Sequence, residues 1–184
     1  MTYETIMAGF GGQGLLFSGK VLAYAGLLEN RELSWLPSYG PEMRGGTCNC
    51  SVILSDEPVG SPIIAHPNIL MVMNEPSLDR FEGTAQAGAT VFVDSSLIPR
   101  KLKRTDVTPV YIPATQMAKE MDALALANMI ILGAIVEKIR CVRPETMVDA
   151  LKHTISARKA NLLDLNLKAV EEGARFIREK GGEE

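Results

Sequence analysis

Hydrophobic positions fall into short runs in the first two thirds of the chain and into longer, helix-spaced stretches in the last third. Tyr3 to Ala8 reads as a short strand, followed by the glycine run Gly9–Gly14 and a helix-like stretch from Leu15 to Glu29. Glu32 to Leu36 predicts a second strand, and a turn-rich decapeptide, Pro37 to Gly46, follows it. Thr47 to Leu54 alternates and runs into Ser55-Asp56-Glu57-Pro58, the pattern of a strand ending in a turn. Ile69 to Met73 is a continuous apolar run of the kind found in buried parallel strands. Pro76-Ser77 opens a helix predicted to reach Ala87, and Gly88 closes it. Thr90 to Val93 and Val107 to Ile112 complete the strands.

Beyond residue 115 the pattern is helical. Thr115 or Asp122 is a candidate cap leading into Ala123–Ile139, which is apolar nearly all round and therefore reads as buried. Pro144-Glu145 starts the next helix, because proline is tolerated at the first helical position and an acid suits the dipole there. Asn161 to Lys180 is amphipathic, with Leu162, Leu165, Ala169 and Phe176 expected along one stripe, and Gly181 to Glu184 reads as a frayed tail. Strand–helix alternation without a repeat or linker predicts a single α/β domain over 1–184, with a mostly parallel sheet and a helical C-terminal third.

Composition narrows the function classes. The 184 residues carry 19 basic and 22 acidic side chains, a net charge of −3, with 46% hydrophobic and 22% charged residues. This is the make-up of a soluble globular chain, with no general reason to bind nucleic acid or an anionic membrane. The most apolar stretch, Ala123 to Val136, is too short for a membrane span, and the N-terminus lacks a basic region followed by an apolar one. A cytoplasmic location is the expectation. Cys48 and Cys50 are spaced C-x-C and Cys141 is far downstream, and His66 and His153 are not at ligand spacing to either. Two thiols and a distant third do not make a four-ligand zinc or iron–sulfur site, so free thiols in a reducing compartment are expected.

The glycine run carries the first candidate chemistry. Gly9 to Gly14 fits G-x-G-x-x-G between a predicted strand and a predicted helix, where glycines allow close backbone approach and helix amides favour an anion. Gly11, Gly12, Gln13 and Gly14 are therefore candidate anion contacts. The competing reading is that these glycines only let strand and helix pack closely, as Gly19 and Gly26 also suggest. A dinucleotide site further expects an acid about 20 residues on, at the end of the second strand, to hold the ribose. Here that strand ends Leu36-Pro37-Ser38-Tyr39, without a carboxylate. Gly14 to Lys20 spells G-x-x-x-x-G-K, but Val21 replaces the magnesium-binding hydroxyl and the lysine lies well inside the helix, so this is not a P-loop.

In Pro37–Gly46, prolines stiffen the loop, and Arg44 stands beside the flexible Gly45-Gly46 pair. That suits a defined contact with a carboxylate or phosphate, and equally a structural loop in which Arg44 pairs with Glu42 or a carbonyl. Arg100 to Arg104 is a basic cluster, read as a solvated loop or as a docking patch for an acidic surface or the phosphates of coenzyme A. Neither histidine is assigned a role, and no serine has a histidine and an acid at interpretable spacing.

The run Ala8 to Gly14, followed by Ser38 to Thr47 (S-Y-G-P-E-M-R-G-G-T), resembles the gamma subunit of 2-oxoacid:ferredoxin oxidoreductases. Gly60-Ser61-Pro62, Met73 to Leu78, and Asn128 ahead of Leu132-Gly133 are similar to the same family, in order and over nearly the whole chain. The resemblance implies a Rossmann-like, three-layer domain in a hetero-oligomer of anaerobic metabolism. Such complexes oxidatively decarboxylate a 2-oxoacid to an acyl-CoA and pass electrons to ferredoxin. Thiamine diphosphate lies between alpha and beta subunits, and iron–sulfur clusters lie on beta or delta. This chain is then expected to bind no cofactor of its own with certainty, to contribute no catalytic or metal-binding residue, and to support assembly and the CoA side of the active centre. Its Pro-Ser-Tyr-Gly-Pro-Glu-Met-Arg segment is most similar to the 2-oxoglutarate and 2-oxoisovalerate types. Gly11, Gly12, Gln13, Gly14, Ser38, Tyr39 and Arg44 are the expected contacts to an anion or to CoA. Two other readings stay open: a free-standing nucleotide-binding protein, and a purely structural subunit.

Overall fold

The computed structural model describes residues 1–38, 47–155 and 160–180. Six strands form one sheet: β1 (Thr2–Phe10), β2 (Glu32–Ser38), β3 (Thr47–Ser55), β4 (Ile69–Val72), β5 (Thr90–Asp94) and β6 (Thr108–Ile112), in the spatial order β2-β3-β1-β4-β5-β6. β4, β5 and β6 extend in parallel from β1. β3 runs antiparallel to both β1 and β2, so the sheet is mixed, with one strand opposing the other five. The reversal has a simple cause: an antiparallel neighbour needs only a short connection, whereas a parallel one needs a crossover. Only residues 39–46 separate β2 from β3.

Side chains alternate between the two faces of the sheet, and each face has its own core. Met7, Ile69, Met71, Phe92 and Val110 point into the larger core, which is covered by α1 (Leu15–Leu28), α4 (Ala127–Ile139), α5 (Pro144–Thr154) and α6 (Ala160–Lys180). Ile6, Ala8, Leu70, Val72, Val91 and Val93 point into the smaller one, covered by α2 (Glu75–Phe81) and the segments around Ala85, Ile98 and Val107. A short helix, α3 (Ala114–Glu120), follows β6. The result is the expected three-layer α/β arrangement. Gly19 and Gly26 are packing glycines, because an added Cβ would meet Cys50 Sγ at 2.5 Å and the Leu54 side chain respectively.

Two helix boundaries differ from expectation. α2 stops at Phe81 and is followed by a single 3-10 turn, Glu82–Thr84, where the Thr84 hydroxyl donates back to the Phe81 carbonyl (2.8 Å). The long apolar helix begins at Ala127 rather than Ala123, behind a 3-10 turn at Leu124–Leu126. Asp122 does not cap its start: it adopts left-handed backbone (φ 53°), a conformation aspartate tolerates, just past the end of α3. Thr115 lies inside α3 and is itself held by Asp94. The amphipathic stripe of α6 is also shifted. Leu162 and Leu165 are each 39% exposed, while Asn166, Ala169, Gly173 and Ile177 face inward. The small residues lie inward because α6 packs backbone-close on α4: a Cβ on Gly173 would overlap the Ile130 carbonyl.

Candidate functional site

In an open α/β sheet, ligands bind outside the carboxyl ends of the strands where the connections change direction. Here the chain leaves β1 toward β2 on one side and returns to β4 on the other, so that point lies between the ends of β1 and β4. A crevice of about 470 Å³ opens there. Gly12 and Gln13 after β1, Met73 after β4, Leu97 after β5 and Thr115 after β6 line it, with Leu124, Ala125 and Ala127 closing the far side. Its rim carries exposed apolar side chains: Leu97 at 42% and Leu124 at 60%, with Phe10 exposed at the end of β1.

The glycine turn forms one wall. Gly12 (φ 96°) and Gly14 (φ 75°) both have left-handed backbone, the conformation that favours glycine. Gly14 is the N-cap of α1 and offers no side chain to it. Its carbonyl accepts from Phe17 N and Ser18 N (3.0 Å each) and from Asn128 Nδ2 (2.9 Å), so a residue 114 positions away clamps the turn. Gln13 is fully engaged by the fold. Its Oε1 accepts from Phe10 N (2.6 Å) and its Nε2 donates to the Met73 carbonyl (3.2 Å), tying the end of β1 to the end of β4. Its backbone N–H is engaged as well, donating to the Phe10 carbonyl (3.2 Å). The adjoining Asn74 caps α2, its Oδ1 accepting from Ser77 N (2.8 Å). The Met73-Asn74-Glu75-Pro76-Ser77 motif thus shapes the edge rather than supplying a reactive group.

The expected contacts divide. Gly12 and Gln13 line the crevice, Gly14 lines a neighbouring cavity, and Gly11 is exposed beside them. Ser38 ends β2 at the same edge of the sheet, paired with Asn49, but is separated from β1 by β3 and does not line the crevice. Tyr39 and Arg44 lie outside the described residues. Sequence reasoning missed Met73, Leu97, Thr115 and Leu124 as site residues. Each follows a different element, so only the strand order, not any local spacing, brings them together.

Asp94, fully buried at the end of β5, supports this edge: it accepts from Ser96 N (3.1 Å), Thr115 N (3.3 Å) and Thr115 Oγ1 (2.5 Å), pinning α3 to the sheet. The two arginines of the basic cluster are paired internally, while Lys101 and Lys103 stay exposed. Arg100 pairs with Glu82 (3.0 Å), Asp79 (2.6 Å) and Glu75 (3.7 Å). Arg104 pairs with Asp106 (2.5 Å), and Lys101 stands 3.9 Å above the Tyr111 ring. Glu82 is held below the ordinary carboxylate range: burial pushes it up, but Lys103 N–H, the Arg100 guanidinium and Arg104 N–H outweigh that. Cys48, Cys50 and Cys141 are free and buried. Burial pushes Cys141, and burial together with Cys48 pushes Cys50, up to about 12, so without a partner both stay protonated at neutral pH. These thiols do not fit a cluster, and among the described residues no group of three or more His, Cys, Asp or Glu is placed to hold a metal. No helix among them is long and apolar enough to cross a membrane.

Fold and crevice together define a Rossmann-like α/β domain with an open crevice at the β1/β4 switch point. Residues 4–176 match the model of the pyruvate ferredoxin/flavodoxin oxidoreductase family, and the chain belongs to that family. It is 40% identical over 173 residues to the ketoisovalerate oxidoreductase subunit VorA of Methanothermobacter marburgensis, covering 94% of this chain and 36% of that relative. It is 35% identical over 168 residues to the 2-oxoglutarate synthase subunit KorC of Methanocaldococcus jannaschii, covering 89% and 90%. The chain therefore spans about a third of the VorA relative and nearly all of the KorC one. Among solved structures it is similar to the gamma subunit of a keto/oxoacid ferredoxin oxidoreductase from Geobacter sulfurreducens, with a TM-score of 0.84, 28% identity and 95% of each chain covered.

Proposed function

We propose that this chain is the gamma-type subunit of a hetero-oligomeric, CoA-dependent 2-oxoacid:ferredoxin oxidoreductase. The family match over residues 4–176 carries this reading. The complex cleaves the bond between the carboxylate and the carbonyl carbon of a 2-oxoacid. Carbon dioxide leaves, two electrons pass to ferredoxin, and the acyl group is joined to the CoA thiol. By this chain's resemblance to the family, thiamine diphosphate belongs to the alpha and beta subunits, and iron–sulfur clusters to beta, or delta where one exists. The subunit acts in the cytoplasm as one domain. The 2-oxoacid is 2-oxoglutarate or 2-oxoisovalerate, the acids that the similar relatives' names specify.

This subunit's own contribution is the crevice at the β1/β4 edge. The Gly11–Gly14 turn at the start of α1 suits a phosphate of CoA, and Tyr39 and Arg44, from the loop after β2, are proposed as further contacts to it. Ser38 marks where that loop leaves the sheet. A free-standing dinucleotide-binding protein is the weaker reading, since no carboxylate stands at the end of β2 for a ribose.

Gly12→Asp tests the assignment in the co-expressed, affinity-purified complex. An added Cβ at Gly12 meets nothing within 4 Å, so the new carboxylate enters the crevice rather than the core. The expected result is a KM for CoA raised by about tenfold, the effect of roughly 1.4 kcal/mol, with the partners still co-eluting. An unchanged KM for CoA would remove the crevice from the reaction. Arg44→Ala is expected to act in the same direction with assembly intact.

A further inference from the structure

Two walls of the crevice depend on one residue that does not itself line it. Asp94, the last residue of β5, is fully buried. Its carbonyl accepts from Leu97 N (3.2 Å) and Ile98 N (3.0 Å), a turn that sets Leu97 at the crevice rim while Ile98 enters the smaller core. Its carboxylate reaches α3: Oδ1 accepts from Ser96 N (3.1 Å) and Thr115 N (3.3 Å), and Oδ2 from Thr115 Oγ1 (2.5 Å). These bonds supply a cap that α3 does not carry in its own sequence. The first amides of a helix have no partner within it, and Pro113, at the N-cap position, makes no side-chain hydrogen bond to them. Asp94 Oδ1 takes Thr115 N instead, and Ser96 Oγ takes Gln116 N (3.0 Å). The cap thus comes from the end of β5, and it fastens the start of α3 to the segment that carries Leu97.

We infer that Asp94 is a positioning residue for the coenzyme: from its buried place it fixes Leu97 and Thr115 relative to one another, and so the shape of the crevice they line. This rests on the proposed binding of CoA in that crevice. The bonds, rather than the charge, are what the position requires. An asparagine meets the same three donors' positions, with Oδ1 accepting the two N–H groups and Nδ2 donating to Thr115 Oγ1. A methyl group meets none of them, and the start of α3 is then released from β5. A misplacement of about 1 Å in a positioning group can cost about 100-fold, so even a partial slackening of this wall is large enough to measure. The effect falls on CoA alone, because the 2-oxoacid reacts at the thiamine diphosphate assigned above to the alpha and beta subunits.

The test measures kcat, and the KM for CoA and for the 2-oxoacid turned over, in the co-expressed, affinity-purified complex. Asp94→Ala is expected to raise the KM for CoA about tenfold, with the KM for the 2-oxoacid within about twofold of the unaltered complex. Asp94→Asn, which keeps the cap, is expected to stay within about twofold in both. Thr115 supplies a second pair of variants where Asp94→Ala does not assemble. Thr115→Val, without the hydroxyl, is expected to raise the KM for CoA about fivefold, and Thr115→Ser to restore it. A merely structural Asp94 would lower the yield of complex, or kcat, and leave the KM for CoA unchanged; that result overturns the inference. So does an Asp94→Asn complex as impaired as Asp94→Ala, or a parallel rise in both KM values. Gly12→Asp separates the two readings. If it raises the KM for CoA while the Asp94 and Thr115 variants do not, the crevice keeps its coenzyme and Asp94 loses its role. If Gly12→Asp also leaves that KM unchanged, the crevice reading fails, and this inference with it.

Discussion

Replacing Gly12 and Gly14 separately by alanine distinguishes a turn built for a ligand from a turn built only to pack. Both positions have left-handed backbone, so each alanine incurs a conformational cost of about 1–2 kcal/mol. At Gly12 that is the whole effect, since its added Cβ meets no atom within 4 Å. At Gly14 the Cβ would stand 2.7 Å from Asn128 Nδ2, closer than contact allows. Asn128 must then move, and its bond to the Gly14 carbonyl goes with it. Losing a buried hydrogen bond adds about 1–3 kcal/mol, which brings Gly14→Ala to roughly 2–5 kcal/mol. Urea denaturation of the two variants, compared at equal slope, measures the gap. Gly14→Ala should unfold at clearly lower urea, with a gap of about 1–3 kcal/mol between the variants. Equal midpoints, or Gly12→Ala the less stable, would refute the clamp attributed to Asn128.

Other outcomes follow from the same structure. Gly173→Ala should destabilise the chain by about 1–3 kcal/mol in thermal or urea melts despite alanine's better helix propensity, because its Cβ overlaps the Ile130 carbonyl across the α4–α6 contact; unchanged stability would show that the helices separate without cost. Glu82 is lowered in the folded chain, so its ion-pair stability is fully present above the ordinary carboxylate value of 4.5 and is lost as the pH falls through its lower folded value. Glu82→Gln should therefore lower stability at neutral pH, by about 1–3 kcal/mol, and flatten the acid limb of the stability–pH profile; an unchanged limb would show that the Arg100 cluster contributes nothing. Cys50 and Cys141, raised to about 12, should react with thiol reagents at neutral pH only as fast as the chain opens; rapid labelling of the native chain would contradict their burial.

How much of this was legible in the sequence depends on how far apart the causes lie. β1, α1 and the central strands were readable from local signals: the glycine turn separates β1 from α1, and the continuous apolar runs of β4 and β5 are buried on both faces. Mixed strand direction was not, because Thr47–Ser55 alternates identically whichever way it runs; its direction is set by a partner, not by its pattern. Leu162 and Leu165 read as an inward stripe because leucine usually is inward, yet α6 turns Gly173, Ala169 and Asn166 inward, since only small residues allow it to approach α4 so closely. The internal pairing of Arg100 was hidden for a related reason: its counter-ions Asp79 and Glu82 stand on another segment and become neighbours only after folding.

The glycine turn shows the same division within four residues. That Gly12 and Gly14 are glycines because the backbone is left-handed is a local fact, and the motif announced it. What the turn is for is decided by groups far along the chain: Met73 takes the amide of Gln13, and Asn128 takes the carbonyl of Gly14. Gln13, the most functional-looking side chain of the motif, is thereby committed to structure, while plain Gly12 faces the crevice. Asn128 also lines the neighbouring cavity, on the far side of the turn from the crevice. The turn therefore lies between two pockets and is held by residues of both walls, Met73 on one side and Asn128 on the other.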